Sequence, residues 1–230
     1  MKTLGLIGGT SWLSAADYYK IINLEINKQL GGLNSAKLFL YSLNYEEFKP
    51  SADPSEWERI ASLLTDISTR LETAGAECII LCANTPHMVA DDIQKNISIP
   101  LIHIAEVTAK AIVQQKIKTV ALLGTKFTME QSFFKDKLTN AGITALIPNE
   151  PDRAFIHDSI FNELGKGIFT EATKQKYLNI INKLIEEGAE GVIFGCTEIP
   201  MLIKEDECTA PVFDTLMIHA KAAAEFALGS

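Results

Sequence analysis

The chain has 230 residues, 47% of them apolar, and a formal net charge of −8. That length and apolar content predict a sizeable core in one or two domains. Spread-out acidity without a basic stripe excludes a phosphate-backbone binder, so no nucleic-acid partner is expected.

The longest apolar runs, such as 78–83, are strand-length, so no segment is expected to cross a membrane. Residues 1–5 lead straight into a strand and glycine loop, which predicts no secretion signal. Cys78, Cys82, Cys196 and Cys208 show neither CxxC nor Cys/His zinc spacing. Reduced thiols in a cytoplasmic chain are the simplest reading.

In chain order, residues 3–7 read as a strand ending in Gly8-Gly9, and 14–29 as a helix with Ser14 as N-cap. A second strand is predicted at 37–43. Trp57, Ile60, Leu63, Leu64, Ile67 and Leu71 give 54–74 helical spacing, closed by Gly75. A third strand follows at 78–83, a helix from about Pro86, a short strand at 100–104 and a helix at 106–115.

The pattern then restarts. Thr119-Val120-Ala121-Leu122-Leu123-Gly124-Thr125 echoes Thr3-Leu4-Gly5-Leu6-Ile7-Gly8-Gly9. Helices are predicted at 128–140, 152–164, 170–187 and 216–228, and strands at 145–148, 191–194 and 211–213. A longer echo aligns 75–85 (GAECIILCANT) without gaps on 188–198 (GAEGVIFGCTE). Each copy is Gly-Ala-Glu, an apolar strand and a small polar group, but Ala83 stands where the second copy has Cys196.

Alternating strands and helices indicate an α/β fold with mainly parallel sheets. The two echoes predict two similar lobes, pseudo-two-fold related: 1–104 with 211–230 as a first lobe with a returning C-terminal helix, and 105–210 as a second. Ligands of open α/β sheets sit beyond the carboxyl ends of the strands. The active site is therefore expected in a cleft between the lobes, lined by 8–11, 83–85, 124–128 and 196–198.

Gly8-Gly9-Thr10-Ser11 suits an anion through exposed N–H groups and the Thr10 and Ser11 hydroxyls, although an ordinary βα turn has the same composition. It is not GxGxxG, which disfavours a nucleotide. Asn84-Thr85 and Thr197-Glu198 occupy matching positions where side-chain donors favour a carboxylate; plain helix capping uses the same residue types. Cys196, between Gly195 and Thr197 before a helix, is expected to have a lowered thiol pKa and to act as a base, although a buried structural cysteine is the plain alternative.

Cys82 neighbours Ala83 on the strand and should face away from it, unless a bulge at the strand end rotates it inward. His87, His103, His157 and His219 show no metal-binding spacing. His219 would polarise Cys196 if the last helix packs back, although a hydrogen-bonded structural histidine fits it as well. A dicarboxylate ligand needs a cation, and Lys49, Arg153 and Lys166 are the candidates.

These residues resemble the aspartate/glutamate racemase family, most nearly its bacterial branch of broad-specificity amino-acid racemases. The resemblance runs over nearly the full length, through 1–12 (MKTLGLIGGTSW), 30–36 (LGGLNSA), 81–87 (LCANTPH), 122–130 (LLGTKFTME), 191–200 (GVIFGCTEIP) and 211–220 (PVFDTLMIHA). It implies an isomerase that needs no cofactor and no pyridoxal phosphate, and a homodimer. One residue removes the α-proton and an opposite residue returns one to the other face. The family's second cysteine matches Cys196; its first stands directly before Asn-Thr, which is Ala83 here, a position that can be threonine in that branch.

Alanine does neither acid nor base work. Four explanations stand: Cys196 alone with water or Thr85 on the other face; Cys82 through a register change; a substitution introduced to trap a substrate; or one-sided chemistry, as in arylmalonate decarboxylases. The expected function is racemisation of aspartate or glutamate. Thr125 joins Asn84, Thr85 and Thr197 on the α-carboxylate, with Thr10, Ser11 and Lys166 on the distal one. The alternatives are a one-cysteine decarboxylase of a malonate-like acid and an attenuated amino-acid-binding homologue.

Overall fold

The computed structural model describes residues 1–49 and 53–229, with the side chain of Pro54 excepted. The described chain divides into two compact units, Met1–Ile104 with His219–Ser230, and Ala105–Ile218.

The first unit is built on a parallel sheet of order β2-β1-β3, with β1 at Leu4–Gly8, β2 at Leu38–Ser42 and β3 at Cys78–Leu81. The inner strand β1 is buried at all five positions, the continuous apolar run expected of a parallel strand covered on both faces. Helix α1 (Trp12–Leu30) crosses from β1 towards β2, followed by the single turn α2 (Tyr45–Phe48). Helix α3 (Pro54–Thr73) starts at an Asp53 cap and buries Ile60, Leu64, Ile67 and Leu71 on one stripe against Ile79 and Leu81.

After β3 the chain makes a 3₁₀ turn at Thr85–Val89 and the short α4 (Ala90–Gln94). The strand expected at 100–104 is reduced to one bridge, Leu101 with Ile79, because Ile104 already opens α5 (Ile104–Gln114).

The second unit has a parallel sheet of order β5-β4-β6-β7: β4 is Thr119–Gly124, β5 Thr144–Leu146, β6 Gly191–Gly195 and β7 Val212–Asp214. Its helices are α6 (Lys126–Glu130), α7 (Ser132–Asn140), α8 (Glu150–Asn162), α9 (Glu171–Glu186) and α10 (Ile199–Leu202). The helix expected at 128–140 is thus two, broken at the extended Gln131 (ψ 159°).

Helix α11 (Thr215–Leu228) ends the described chain. Because Val212 pairs with Val192 in the second sheet, residues 211–218 belong to the second unit, and the return to the first falls inside α11. Among the described residues no helix is long and apolar enough to cross a membrane.

Both echoes have structural causes. Glu77 accepts from the Thr3 N–H at 2.6 Å, and Glu190 accepts from the Lys118 and Thr119 N–H groups at 2.8 and 3.0 Å, so each Gly-Ala-Glu carboxylate caps the entry of the neighbouring strand. The preceding Gly75 and Gly188 have φ of 102° and 108°, left-handed values that end the helix before the strand.

Candidate functional site

In each unit the polar residues singled out from sequence gather at the carboxyl ends of the inner strands. In the first, β1 runs into Gly9, whose φ is +90° and where a Cβ would lie 2.0 Å from the Leu43 carbonyl oxygen, so only glycine makes this turn. Thr10 follows; its Oγ1 is buried without a hydrogen-bond partner among the described residues. Ser11 is the N-cap of α1 and accepts from the Ser14 N–H at 3.3 Å. The cap therefore lies three residues before the expected Ser14, which is buried and donates its hydroxyl to the Cys82 carbonyl at 2.8 Å.

Beyond β3, Ala83 is half-buried, Asn84 is buried and Thr85 opens the 3₁₀ turn. Cys82 is fully buried with Sγ 3.9 Å from the Ile80 carbonyl, and burial pushes its thiol far above the ordinary range. A thiol held in that state is a poor replacement for a base at 83.

The three histidines that sequence leaves scattered meet in this unit. The His87 ring centroid lies 4.8 Å from that of His103 and 5.5 Å from that of His219. His219 Nε2 reaches the Ile102 carbonyl at 2.8 Å and Nδ1 the Tyr18 hydroxyl at 2.7 Å. Both nitrogens are used inside the first unit, the pattern of a hydrogen-bonded structural histidine. Burial, then neighbouring His87, pushes its pKa down to about 3. Among the described residues no group of three His, Cys, Asp or Glu is arranged to hold a metal.

In the second unit Thr125 caps α6, its Oγ1 accepting from the Thr128 N–H at 3.3 Å. Gly195 ends β6 so close to β4 that a Cβ would lie 2.6 Å from the Leu123 carbonyl oxygen. Cys196 follows, 9% exposed, and its Sγ donates to Glu198 Oε2 at 3.0 Å. Thr197 Oγ1 donates to the same oxygen at 2.9 Å. Glu198 is itself buried, so one carboxylate oxygen gathers the thiol and the hydroxyl in a site of low polarity.

This overturns the expectation of a lowered Cys196 pKa. Burial first, then the Glu198 charge and the hydrogen bond to it, raise the thiol well above its ordinary value; the Glu198 and Thr197 N–H groups only partly oppose this. The helix credited with lowering it, α10, is four residues long and starts three residues later, too short for an appreciable dipole. Cys196 therefore rests as a thiol hydrogen-bonded to the Glu198 side chain.

Of the candidate cations, Arg153 is committed, with Nε 2.9 Å from Glu130 Oε1 and a guanidinium N–H on the Pro148 carbonyl at 2.7 Å. Lys49 is exposed and lies 3.7 Å from Glu46. Lys166 is exposed on a 3₁₀ turn, Leu164–Lys166, that packs against α10. Sequence reasoning weighed His87 only as a metal ligand; its ring instead reaches the Ala83 carbonyl at 2.9 Å, and the spacing of four from Ala83 was the available signal.

The sequence profile of the Asp/Glu/hydantoin racemases matches residues 7–223. The chain belongs to that family. It is 46% identical to a crystallised candidate Asp/Glu racemase from Yersinia pestis, with a TM-score of 0.93 over 99% of this chain and 100% of that one. It is 36% identical to an aspartate racemase homologue from Pyrococcus horikoshii OT3, with a TM-score of 0.85 over 99% and 100% of the two chains. Among curated relatives, the broad-specificity amino-acid racemase RacX of Bacillus subtilis is 23% identical over 74% of this chain and 73% of its own. A glutamate racemase of Leptospira borgpetersenii is 32% identical over 62% of this chain and 53% of its own, about half the length of that relative.

Proposed function

We propose that the protein is a racemase of acidic amino acids that needs no cofactor, with Cys196 as the residue that moves the α-proton. The observation that carries the reading is the Cys196 Sγ to Glu198 Oε2 hydrogen bond of 3.0 Å in a buried site. The thiol proton passes to the carboxylate; the thiolate takes the substrate α-proton, leaving a carbanion that fixed donors and exclusion of water stabilise. Carboxylate recognition falls to Thr125, Thr197 and the Lys166 ammonium in the second unit, and to Thr10, Ser11, Asn84 and Thr85 in the first. Family membership and the names of the relatives, glutamate racemase and broad-specificity amino-acid racemase, support an amino acid as substrate.

Ala83 leaves the matching position in the first unit without a proton donor, so the second face is served by water or the Thr85 hydroxyl. The same alanine favours a second reading, a one-cysteine decarboxylase that protonates a malonate-derived carbanion on one face. The test is α-proton exchange in D₂O, followed by NMR, with each enantiomer of aspartate and glutamate. Exchange with inversion, lost by about 10³-fold in Cys196→Ser, is expected. Carbon dioxide release from a malonate with no amino-acid exchange would replace the racemase by the decarboxylase.

A further inference from the structure

The turn after β3 is held by one of its own side chains, His87, which is anchored in turn on the start of α5. Ala83 has no polar side chain, yet its carbonyl is engaged: His87 Nδ1 lies 2.9 Å from the Ala83 oxygen and 3.3 Å from that of Asn84. The other ring nitrogen, Nε2, accepts from the Ile104 N–H at 3.2 Å. A nitrogen facing two carbonyls must carry the proton, and one that accepts from an amide must not, so the ring is neutral and protonated at Nδ1.

The ring is 1% exposed and wedged against His103 and His219, which leaves it little freedom to turn. His219 shows the opposite pattern, with Nε2 on a carbonyl and Nδ1 on the Tyr18 hydroxyl, and so backs His87 with a second fixed ring. Carried two residues beyond the aligned echoes at the same offset, the position matching His87 is Pro200, which has no ring nitrogen to offer. There the Glu198 carboxylate ties the turn through Cys196 and Thr197 instead.

We propose that His87 is a positioning residue for the reaction: through its Nδ1–H bond to the Ala83 carbonyl it fixes the backbone from which Asn84 and Thr85 are presented to substrate. The part that concerns turnover rests on the racemase reading; the hydrogen-bonding part does not. Burial, then His103, pushes the His87 pKa down, with the carbonyls of Ala83, Asn84 and Ile102 opposing, which agrees with a ring that stays neutral.

Two measurements test it. Long-range ¹H–¹⁵N correlation on the native, unliganded protein should show His87 as the Nδ1–H tautomer at neutral pH. An Nε2–H tautomer or an imidazolium overturns the proposal whatever the enzyme's substrate.

The second uses paired variants. In His87→Asn the amide nitrogen reaches the place of Nδ1 and keeps the bond to Ala83; in His87→Gln the amide reaches the place of Nε2 and keeps only the bond to Ile104. Loss of one hydrogen bond should hold His87→Asn within about tenfold of native turnover. Misplacement of the turn should lower His87→Gln by about a hundredfold. The two should melt at similar temperatures, and KM should rise with the fall in kcat.

Equal turnover in the two variants, or turnover that simply follows melting temperature, makes His87 a core residue and overturns the proposal. If the native chain turns over no amino acid, the racemase reading fails, and amide exchange at Asn84 and Thr85 decides the anchor. Slower exchange in His87→Asn than in His87→Gln upholds it, and equal exchange ends it.

Discussion

The turns after β3 and β6 follow strands of echoed sequence and are stabilised in different ways. The first runs through Ala83, Asn84 and Thr85 and is tied by the His87 ring to its backbone carbonyls. The second runs through Cys196, Thr197 and Glu198 and is tied by side chains to one carboxylate oxygen. A turn held by its backbone tolerates an inert residue such as Ala83. One held through the Cys196, Thr197 and Glu198 side chains has, on the proposed reading, its chemistry and its geometry in the same three residues. An alanine at 83 therefore leaves the hydrogen bonds of the first turn in place, whereas substitution in the second should affect both shape and, on the proposed reading, reactivity.

The largest expected effect after loss of Cys196 comes from Glu198→Gln. Turnover at neutral pH should fall about 10²-fold, since the thiol loses its proton acceptor. Removing the charge also removes a cause of the raised thiol pKa, so the alkaline midpoint of the residual rate and of thiolate ultraviolet absorbance should move to lower pH. Unchanged midpoints would mean that burial alone sets the thiol.

Ala83→Cys should restore chemistry to the first turn. Inversion should accelerate about tenfold or more relative to one-face exchange, measured as the ratio of racemisation to deuterium incorporation. An unchanged ratio would remove position 83 from the reaction.

Acid should separate the units. An unfolded imidazole protonates near 6.5, whereas His219 in the fold does so at about 3. Stability from its burial is complete above pH 6.5 and declines as the pH falls toward 3, by roughly 2 kcal/mol at pH 5, and His87 acts in the same direction. Hydrogen exchange at pH 5 should therefore accelerate more in the first unit, which holds both rings.

The smallest effect should come from the echoed carboxylates. Glu190→Gln should lower the melting temperature more than Glu77→Gln, because Glu190 accepts two backbone N–H groups and Glu77 one. Those N–H bonds lower the Glu190 pKa, so its contribution is present above the ordinary carboxylate pKa and is lost as the pH falls through the folded value.

Most of the alternation of strands and helices, the helix at Pro54–Thr73 and the repeated Gly-Ala-Glu segment were legible in the sequence. Periodicity, glycine stops and parallel-strand hydrophobicity are properties of neighbouring residues, and sequence carries them directly. The same holds for the placing of Cys196 at a strand end, since an apolar run closed by Gly195 already says where the chain leaves the sheet.

The remaining features depended on residues far apart in the chain. The 100–104 segment was expected as a strand, but only Leu101 meets Ile79 and α5 begins at Ile104. His87 and His219 are 132 positions apart, and nothing local says that their rings meet or that Tyr18 and Ile102 take both nitrogens of His219. The Cys196 pKa was expected to fall because a following helix is visible in sequence, whereas burial and the fold-back of Glu198 are not. Sequence determined which chemical groups stand at the strand ends; tertiary packing decided their protonation, because desolvation and close charges depend on what surrounds a group in space.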